Sequence, residues 1–442
     1  MRDPDGTIEF QAHSVVRSIR PSASAKPFLQ SNEADSLVNT GKLVPFRFID
    51  PDTVESPRVP FVSYPFEWCD AQLYSAAELT LDISREIFRS GHELKDASSW
   101  NVIFQGNQPV FCDHLSFQPI DSRQWWAFGQ FTRHFLLPLA VSRHRGLKPH
   151  QCFSIYRDGI PPDAARNMLG LKRYLTRYWP LMATGGSKLQ ATDGLTSVGK
   201  SLHHNLYGFC RSMLNGIKPC NPNSQWSNYT KARQHYDLEA SADKYQKVAE
   251  WLEKTQPAWV VDLGCNTGEF TLLSAKSGAN VIAIDLDHDS VQQLVLSQCN
   301  SLAIHPLVTN LGDMVGGRGC GGDEFPSLVS RLHQRADMLL MLALIHHLAI
   351  SEGIYLSKIA KMAADITREY LIVELLNEAD TMVMHLCSQR KRDPKDFSMT
   401  AQMAAFDKYF KVVASYSIPN TSRTLSLLKK ISRNSTMSYI SM

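Results

Sequence analysis

One stretch constrains the fold of this chain more than any other: Val260-Val261-Asp262-Leu263-Gly264-Cys265-Asn266-Thr267-Gly268, followed by the run NVIAID at 280–285. Val260, Val261 and Leu263 read as the end of a parallel strand covered on both faces. Gly264 and Gly268 frame a tight turn into a helix that starts near Glu269. Such a turn needs glycine, because the backbone must take positive φ and let a ligand lie against bare main chain. The second run reads as a short apolar strand ending in Asp285, a carboxylate in position to accept hydrogen bonds from both hydroxyls of a ribose. An adenosine-type ligand is the natural fit.

The glycine spacing separates two cofactor classes. A dinucleotide fingerprint is G-x-G-x-x-G and sets a pyrophosphate on the helix N-terminus. Here the pattern is D-x-G-x-N-x-G, and Asp262 before the turn repels a pyrophosphate while suiting an ammonium group. The pattern resembles motif I of the class I S-adenosylmethionine-dependent methyltransferases, whose methyl donor carries an amino group and a sulfonium but no phosphate. The usual middle glycine is Asn266, a residue that tolerates positive φ. The resemblance implies a cofactor set of Asp262, Gly264, Cys265, Asn266, Gly268 and Asp285, with Cys265 contributing main chain rather than sulfur.

The order of elements after Asp285 agrees with that reading. A helix at 290–297, a strand at 304–308, a glycine-rich insertion at 316–322 and a fourth buried strand at 337–345 follow in turn. In the methyltransferase pattern a polar residue after the third strand meets the adenine amino group, which points to Asn310 ahead of Asp313. His346 and His347 follow the fourth strand, and ligands in open parallel sheets sit outside the carboxyl ends of strands. An imidazole there suits a general base, His347 being the better placed, or the pair caps a helix. A fifth strand at 370–373 ends in Glu374, read as orienting a substrate hydroxyl or capping the loop. A hairpin through 420–422 closes the chain. The expected fold is therefore α/β, a Rossmann-like doubly wound seven-stranded methyltransferase sheet over about 226–442.

The preceding half reads differently. Residues 1–40 are polar, rich in Ser, Pro and Ala, and are expected to be disordered. Residues 41–225 read as a mixed α+β accessory or substrate domain, with an amphipathic helix at 70–91 and an aromatic core helix at 124–141. Asp96, Asn101 and Asp113 stand in the order D-x-x-x-x-N, hairpin, Asp, which resembles the catalytic loop and metal-binding aspartate of kinases. The resemblance gives them the places of base and two metal ligands. It departs in Lys95 for arginine, in His-Leu after Asp113, and in the lack of a glycine-rich loop or V-A-I-K lysine upstream. The segment 164–178 places Arg166, Lys172, Arg173 and Arg177 among Met168, Leu169, Leu171 and Leu175, a basic amphipathic stretch suited to a membrane, an acidic partner or a solvated face. Tyr229 and Tyr236 read either as an aromatic lid or as packing.

Composition limits the function classes. The formal charge of +3 in 442 residues gives no reason to expect nucleic acid, and the longest apolar run falls far short of a membrane span. Nine scattered cysteines without a C-x-x-C pair fit reduced thiols in a cytoplasm and give no structural zinc site; no metal is expected. Together, VVDLGCNTGEF, LALIHHLAI, VELL and the SIPNTSRTLSLLKK tail, joined to VPFVSYPFEW and LKDASSWNV, resemble a rhizobial nodulation group of bacterial methyltransferases. That resemblance implies methyl transfer from S-adenosylmethionine to a small-molecule or glycan acceptor in host-specific nodulation signalling. Phosphotransfer by the front half and non-catalytic cofactor binding are the alternatives.

Overall fold

The computed structural model describes residues 4–120, 125–182, 197–219, 238–297 and 303–431. Tyr229, Tyr236 and the expected domain boundary near 225 lie outside the described residues. The chain forms two compact units, one of residues 1–222 with 295–300, the other of 223–294 with 301–442.

The first unit opens where disorder was expected. Strands β1 (Gly6–Phe10) and β2 (Ser14–Ile19) form a hairpin, and the sheet continues through β4 (Thr53–Pro57) to β3 (Arg47–Asp50) in the order β1-β2-β4-β3. Two short helices, Lys26–Leu29 and Asn32–Asn39, follow β2. The segment is held in place by a few apolar side chains: Ala25, Phe28, Ala34 and Leu37 are fully buried, and Phe28 stacks on Phe117 with ring centroids 4.0 Å apart. Sparse hydrophobicity looks like disorder in a composition count but suffices when several apolar residues find a core.

Small hairpins complete the β content: β5 (His92–Leu94) pairs β8 (Phe117–Pro119), and β6 (Val102–Gln105) pairs β7 (Gln108–Phe111). The helix Asp70–Phe88 buries its apolar face as the spacing predicts. The aromatic segment is helical from Phe128 to Arg145, interrupted by a π-helical turn at Thr132–Leu136. The basic stretch is a helix only over Pro162–Leu169; Gly170, at φ 56°, ends it, and Gly170–Leu175 continues as a tighter 3₁₀ turn.

The second unit is built on a seven-stranded sheet. Its strands are β9 (Trp259–Leu263), β10 (Asn280–Asp285), β11 (Ile304–Val308), β12 (Ala336–Met341), β13 (Thr367–Leu376), β14 (Phe410–Ser417) and β15 (Arg423–Lys430). The spatial order is β11-β10-β9-β12-β13-β15-β14, with β15 the antiparallel member. The central strands are apolar on both sides and fully buried, as at Val260, Ile282 and Leu340, because helices cover both faces.

Two strand ends differ from expectation. β12 stops at Met341 rather than 345, since Ala343 takes φ 51° and turns the chain. β13 runs on to Leu376, so Glu374 lies within it, opposite Leu425 of β15. Among the described residues no helix is long and apolar enough to cross a membrane.

Candidate functional site

The order of the second sheet reverses at β9: β10 and β11 lie to one side, β12 and β13 to the other. A doubly wound sheet opens a crevice at such a switch point, outside the carboxyl ends of its strands. A cavity of about 470 Å³ sits there, lined by the residues that follow β9, β10, β11 and β12.

The turn after β9 is held open by three residues of positive φ: Gly264 at 76°, Asn266 at 49° and Gly268 at 88°. The amides of Gly264 and Cys265 both donate to the Ile284 carbonyl, at 2.8 and 3.1 Å, which ties the turn to β10. A Cβ at Gly268 would lie 2.4 Å from Leu294 Cδ1, and one at Gly264 3.1 Å from Leu344 Cδ1. Both glycines are therefore fixed by space as well as conformation. Asn266 fills the third position because its side chain closes the turn locally, Oδ1 accepting from Thr267 N at 2.7 Å. Gly268 frames the turn from behind; Gly264, Cys265 and Asn266 line the cavity.

Two carboxylates flank the turn. Asp285 accepts from Asn266 N at 2.7 Å and, through its other oxygen, from Asp287 N at 2.8 Å. Burial raises its pKa, opposed by those amide bonds. Each carboxylate oxygen accepts a second bond, so a pair of hydroxyls can still be bound. Asp262 lies deeper, 3% exposed, and accepts from Thr271 Oγ1 at 2.6 Å. Burial pushes its pKa up to about 6; the Thr271 hydroxyl opposes the rise and the Asp285 charge adds to it. Asn310 also lines the cavity, its Oδ1 accepting from Gly312 N at 2.8 Å, which leaves the amide nitrogen for a ligand. Cys265 is buried, and burial holds its thiol well above the ordinary value.

The histidines stand together at the far wall, rings 4.2 Å apart, where the chain leaves β12 and enters a π-helical turn at His347–Ser351. His346 is 2% exposed, and its Nδ1 has no hydrogen-bond partner among the described residues. Burial drives its pKa well below the ordinary value, and the charges of His347 and Arg423 push the same way. His347 is lowered too, by burial first and then Arg423. Both imidazoles are neutral at pH 7, the form that accepts a proton.

Glu374 does not line the cavity. Fully buried, it accepts from Lys244 Nζ at 2.5 Å, Ala343 N at 3.0 Å and an Arg423 guanidinium nitrogen at 3.0 Å. The expectation that it stands at the productive edge is corrected: it anchors two cations and the turn after β12 from inside the sheet. Lys244 and Arg423 do line the cavity, together with Ser241, Phe270, Leu286 and Met382. Sequence reasoning missed all of these. Only Leu286 carried a local signal, an apolar residue directly after the acid, 59% exposed and suited to cover a planar base.

In the first unit the kinase-like triad is brought together but closed. Asn101 Nδ2 donates to the Asp96 carbonyl at 3.4 Å and to Ser116 Oγ at 3.0 Å. Asp113, 8% exposed, accepts from Arg17 of β2 at 2.7 Å and from Ser116 Oγ at 2.5 Å. A guanidinium thus stands against the carboxylate to which the resemblance gives a metal. No group of three or more His, Cys, Asp or Glu among the described residues is arranged to hold a metal ion.

The second unit is thus a doubly wound seven-stranded sheet that carries the D-x-G-x-N-x-G turn after β9 and an acid at the end of β10. No protein-family model matches the chain. It is similar to the nodulation protein NoeA of Rhizobium meliloti strain 1021, 26% identical over 450 residues that cover 96% of this chain and 94% of that one. Among solved structures it resembles the bifunctional kinase-methyltransferase WbdD, at 17% identity and TM-score 0.33, over 46% of this chain and 41% of that one, less than half of WbdD's length. It also resembles the N-methyltransferase NodS of Bradyrhizobium japonicum WM9, at 10% identity and TM-score 0.33, over 44% and 98% of the two chains. The magnesium protoporphyrin IX methyltransferase ChlM of Synechocystis PCC 6803, with bound SAH, gives 14% identity and TM-score 0.31, over 43% and 84%.

Proposed function

We propose that this chain is an S-adenosylmethionine-dependent methyltransferase. The observation that carries the reading is the cavity at the switch point, where bare main chain at Gly264 to Asn266 lies between a buried carboxylate, Asp262, and a half-buried one, Asp285. The donor set fits a cationic nucleoside amino acid: Asp285 for the ribose hydroxyls, Asn310 and Leu286 for the base, Asp262 for the amino group. A pyrophosphate would meet like charge at the same place. When bound, the sulfonium supplies an electrophilic methyl group. His346 and His347 both line the cavity as neutral imidazoles, and His347 is the candidate to take the acceptor's proton. His346 lies beside it, ring centroids 4.2 Å apart and planes tilted by 40°, and burial holds it neutral. Lys244 and Arg423 shape the acceptor side, with Glu374 setting their positions from within β13. Enclosure of donor and acceptor in one cavity supplies orientation.

The similarity to NoeA along nearly the whole chain supports a place in nodulation chemistry, with a small molecule or glycan as acceptor and a cytoplasmic setting as parts of the same proposal. Isothermal calorimetry tests the cofactor assignment. S-adenosylmethionine binds the wild type, and Gly264→Arg abolishes binding, because the new side chain enters at φ 76° against Leu344. Absence of binding to the wild type, or equal binding to Gly264→Arg, overturns the reading. Transfer of a labelled methyl group into an extract of the native host then separates catalysis from binding alone.

A further inference from the structure

Among the described residues, four large exposed apolar side chains fall close together in sequence. Leu171, Tyr174, Leu175 and Trp179 fall within a single short surface segment, at 82, 61, 87 and 48% exposure, and the two leucines are the most exposed large hydrophobic residues among those described. The backbone keeps them out. Gly170 breaks the preceding helix, and the 3₁₀ turn Gly170–Leu175 brings residues three apart onto one edge, Leu171 beside Tyr174. The alternate residues anchor the segment: Leu169, Thr176, Tyr178, Leu181 and Met182 are buried, and the Tyr178 hydroxyl donates to the Met213 carbonyl at 3.0 Å.

The charge along the segment itself is of one sign. From Ala164 to Met182 there is no Asp or Glu, while Arg166, Lys172, Arg173 and Arg177 are present. Lys172 and Arg177 are exposed, and the Arg173 guanidinium lies over the Tyr174 ring at 4.4 Å. The field is felt nearby: the pKa of His144 is lowered by burial and then by Arg143 and Lys172.

We propose that the 170–179 surface is a peripheral docking site for an anionic lipid bilayer. Side chains this exposed project from the surface rather than line a groove, so what receives them must close around them, as acyl chains and headgroups do. Tyr174 and Trp179 suit the headgroup level, where amphipathic rings gather, and the cations suit anionic headgroups. A rigid acidic protein would neutralise the arginines but leave two protruding leucines to be fitted one by one. The apolar area is small, so attachment is reversible and depends on lipid charge.

Sedimentation of the full chain with vesicles tests this. The wild type pellets with phosphatidylcholine vesicles containing about a third phosphatidylglycerol, and not with phosphatidylcholine alone. Lys172→Gln and Arg177→Gln each weaken partitioning about fivefold, and Leu171→Ser/Leu175→Ser weakens it at least about tenfold. Brominated lipid quenches a component of tryptophan emission that is missing in Trp179→Phe. All variants are compared at equal circular dichroism and melting temperature, which exposed substitutions leave unchanged. Failure of the wild type to bind anionic vesicles, or undiminished binding by the double leucine variant, overturns the proposal. So does concentration-dependent self-association that the double variant abolishes, which would assign the patch to a second copy, or binding of an acidic protein in place of vesicles.

Discussion

Replacing Glu374 by glutamine separates a buried anchor from a catalytic carboxylate. The wild-type side chain faces three donors: Lys244 and Ala343 on one oxygen, Arg423 on the other. Glutamine keeps the shape and one acceptor, so Ala343 N can still be satisfied, but removes the charge. Arg423 retains Asp380 at 2.8 Å, whereas the Lys244 side chain, 9% exposed, loses its carboxylate. Removing one member of a buried ion pair costs about 3 to 5 kcal/mol. For a unit of this size that is a fall of roughly 6 to 20 °C in melting temperature. The transition to follow is the one S-adenosylmethionine raises, because a ligand stabilises the unit that binds it. Activity assayed well below that transition falls less than about tenfold, whereas loss of a proton-transfer group lowers kcat about 10² to 10⁴-fold. Adding Lys244→Met removes the stranded charge and recovers more than half of the lost stability, a coupling that a double-mutant cycle reads directly. The reasoning is refuted if Glu374→Gln melts within about 1 kcal/mol of wild type while kcat collapses, for then Glu374 acts on the acceptor.

Two further outcomes follow from other buried groups. Asp262, with a pKa of about 6 from burial, must be ionised to hold an ammonium group, so the dissociation constant for S-adenosylmethionine rises by up to about tenfold per pH unit below 6 and is flat well above it; a pH-independent constant between about pH 5 and 8 removes Asp262 from the site. The sign for stability is opposite, since a carboxyl raised above its unfolded value contributes most below that unfolded value and loses the contribution as pH rises through about 6. In the first unit, Arg17→Met leaves Asp113 buried without its guanidinium and lowers stability by about 3 to 5 kcal/mol in a transition that S-adenosylmethionine does not shift; calorimetric scans with and without the compound check both parts.

How much of this was legible in the sequence depends on whether a feature is made by backbone or by distant side chains. Gly264, Gly268, Asn266 and Asp285 were readable because a turn of positive φ and a strand ending in an acid are local facts, and the succession of strands and helices along the chain followed from apolar runs alternating with helical spacing. Residues 1–40 misled because a low apolar count conceals that Phe28 and Leu37 are fully buried. Glu374 misled for the complementary reason. An acid in an apolar run looks like the end of a strand, yet its charge is balanced by Lys244, 130 positions earlier, and Arg423, 49 later. Arg17 and Asp113 are 96 apart, and no local pattern links them. The division has a functional consequence. The cofactor half of the cavity is made of main chain and short-range contacts, so one shared motif serves many acceptors. The opposite wall draws Ser241 and Lys244 from the helix Leu238–Thr255, Met382 from the helix Thr381–Arg390 and Arg423 from β15, and its two cations are held by long-range ion pairs rather than by a motif. On the proposed function that wall selects the acceptor, and substitutions there change which molecule is methylated while leaving the affinity for the methyl donor largely intact.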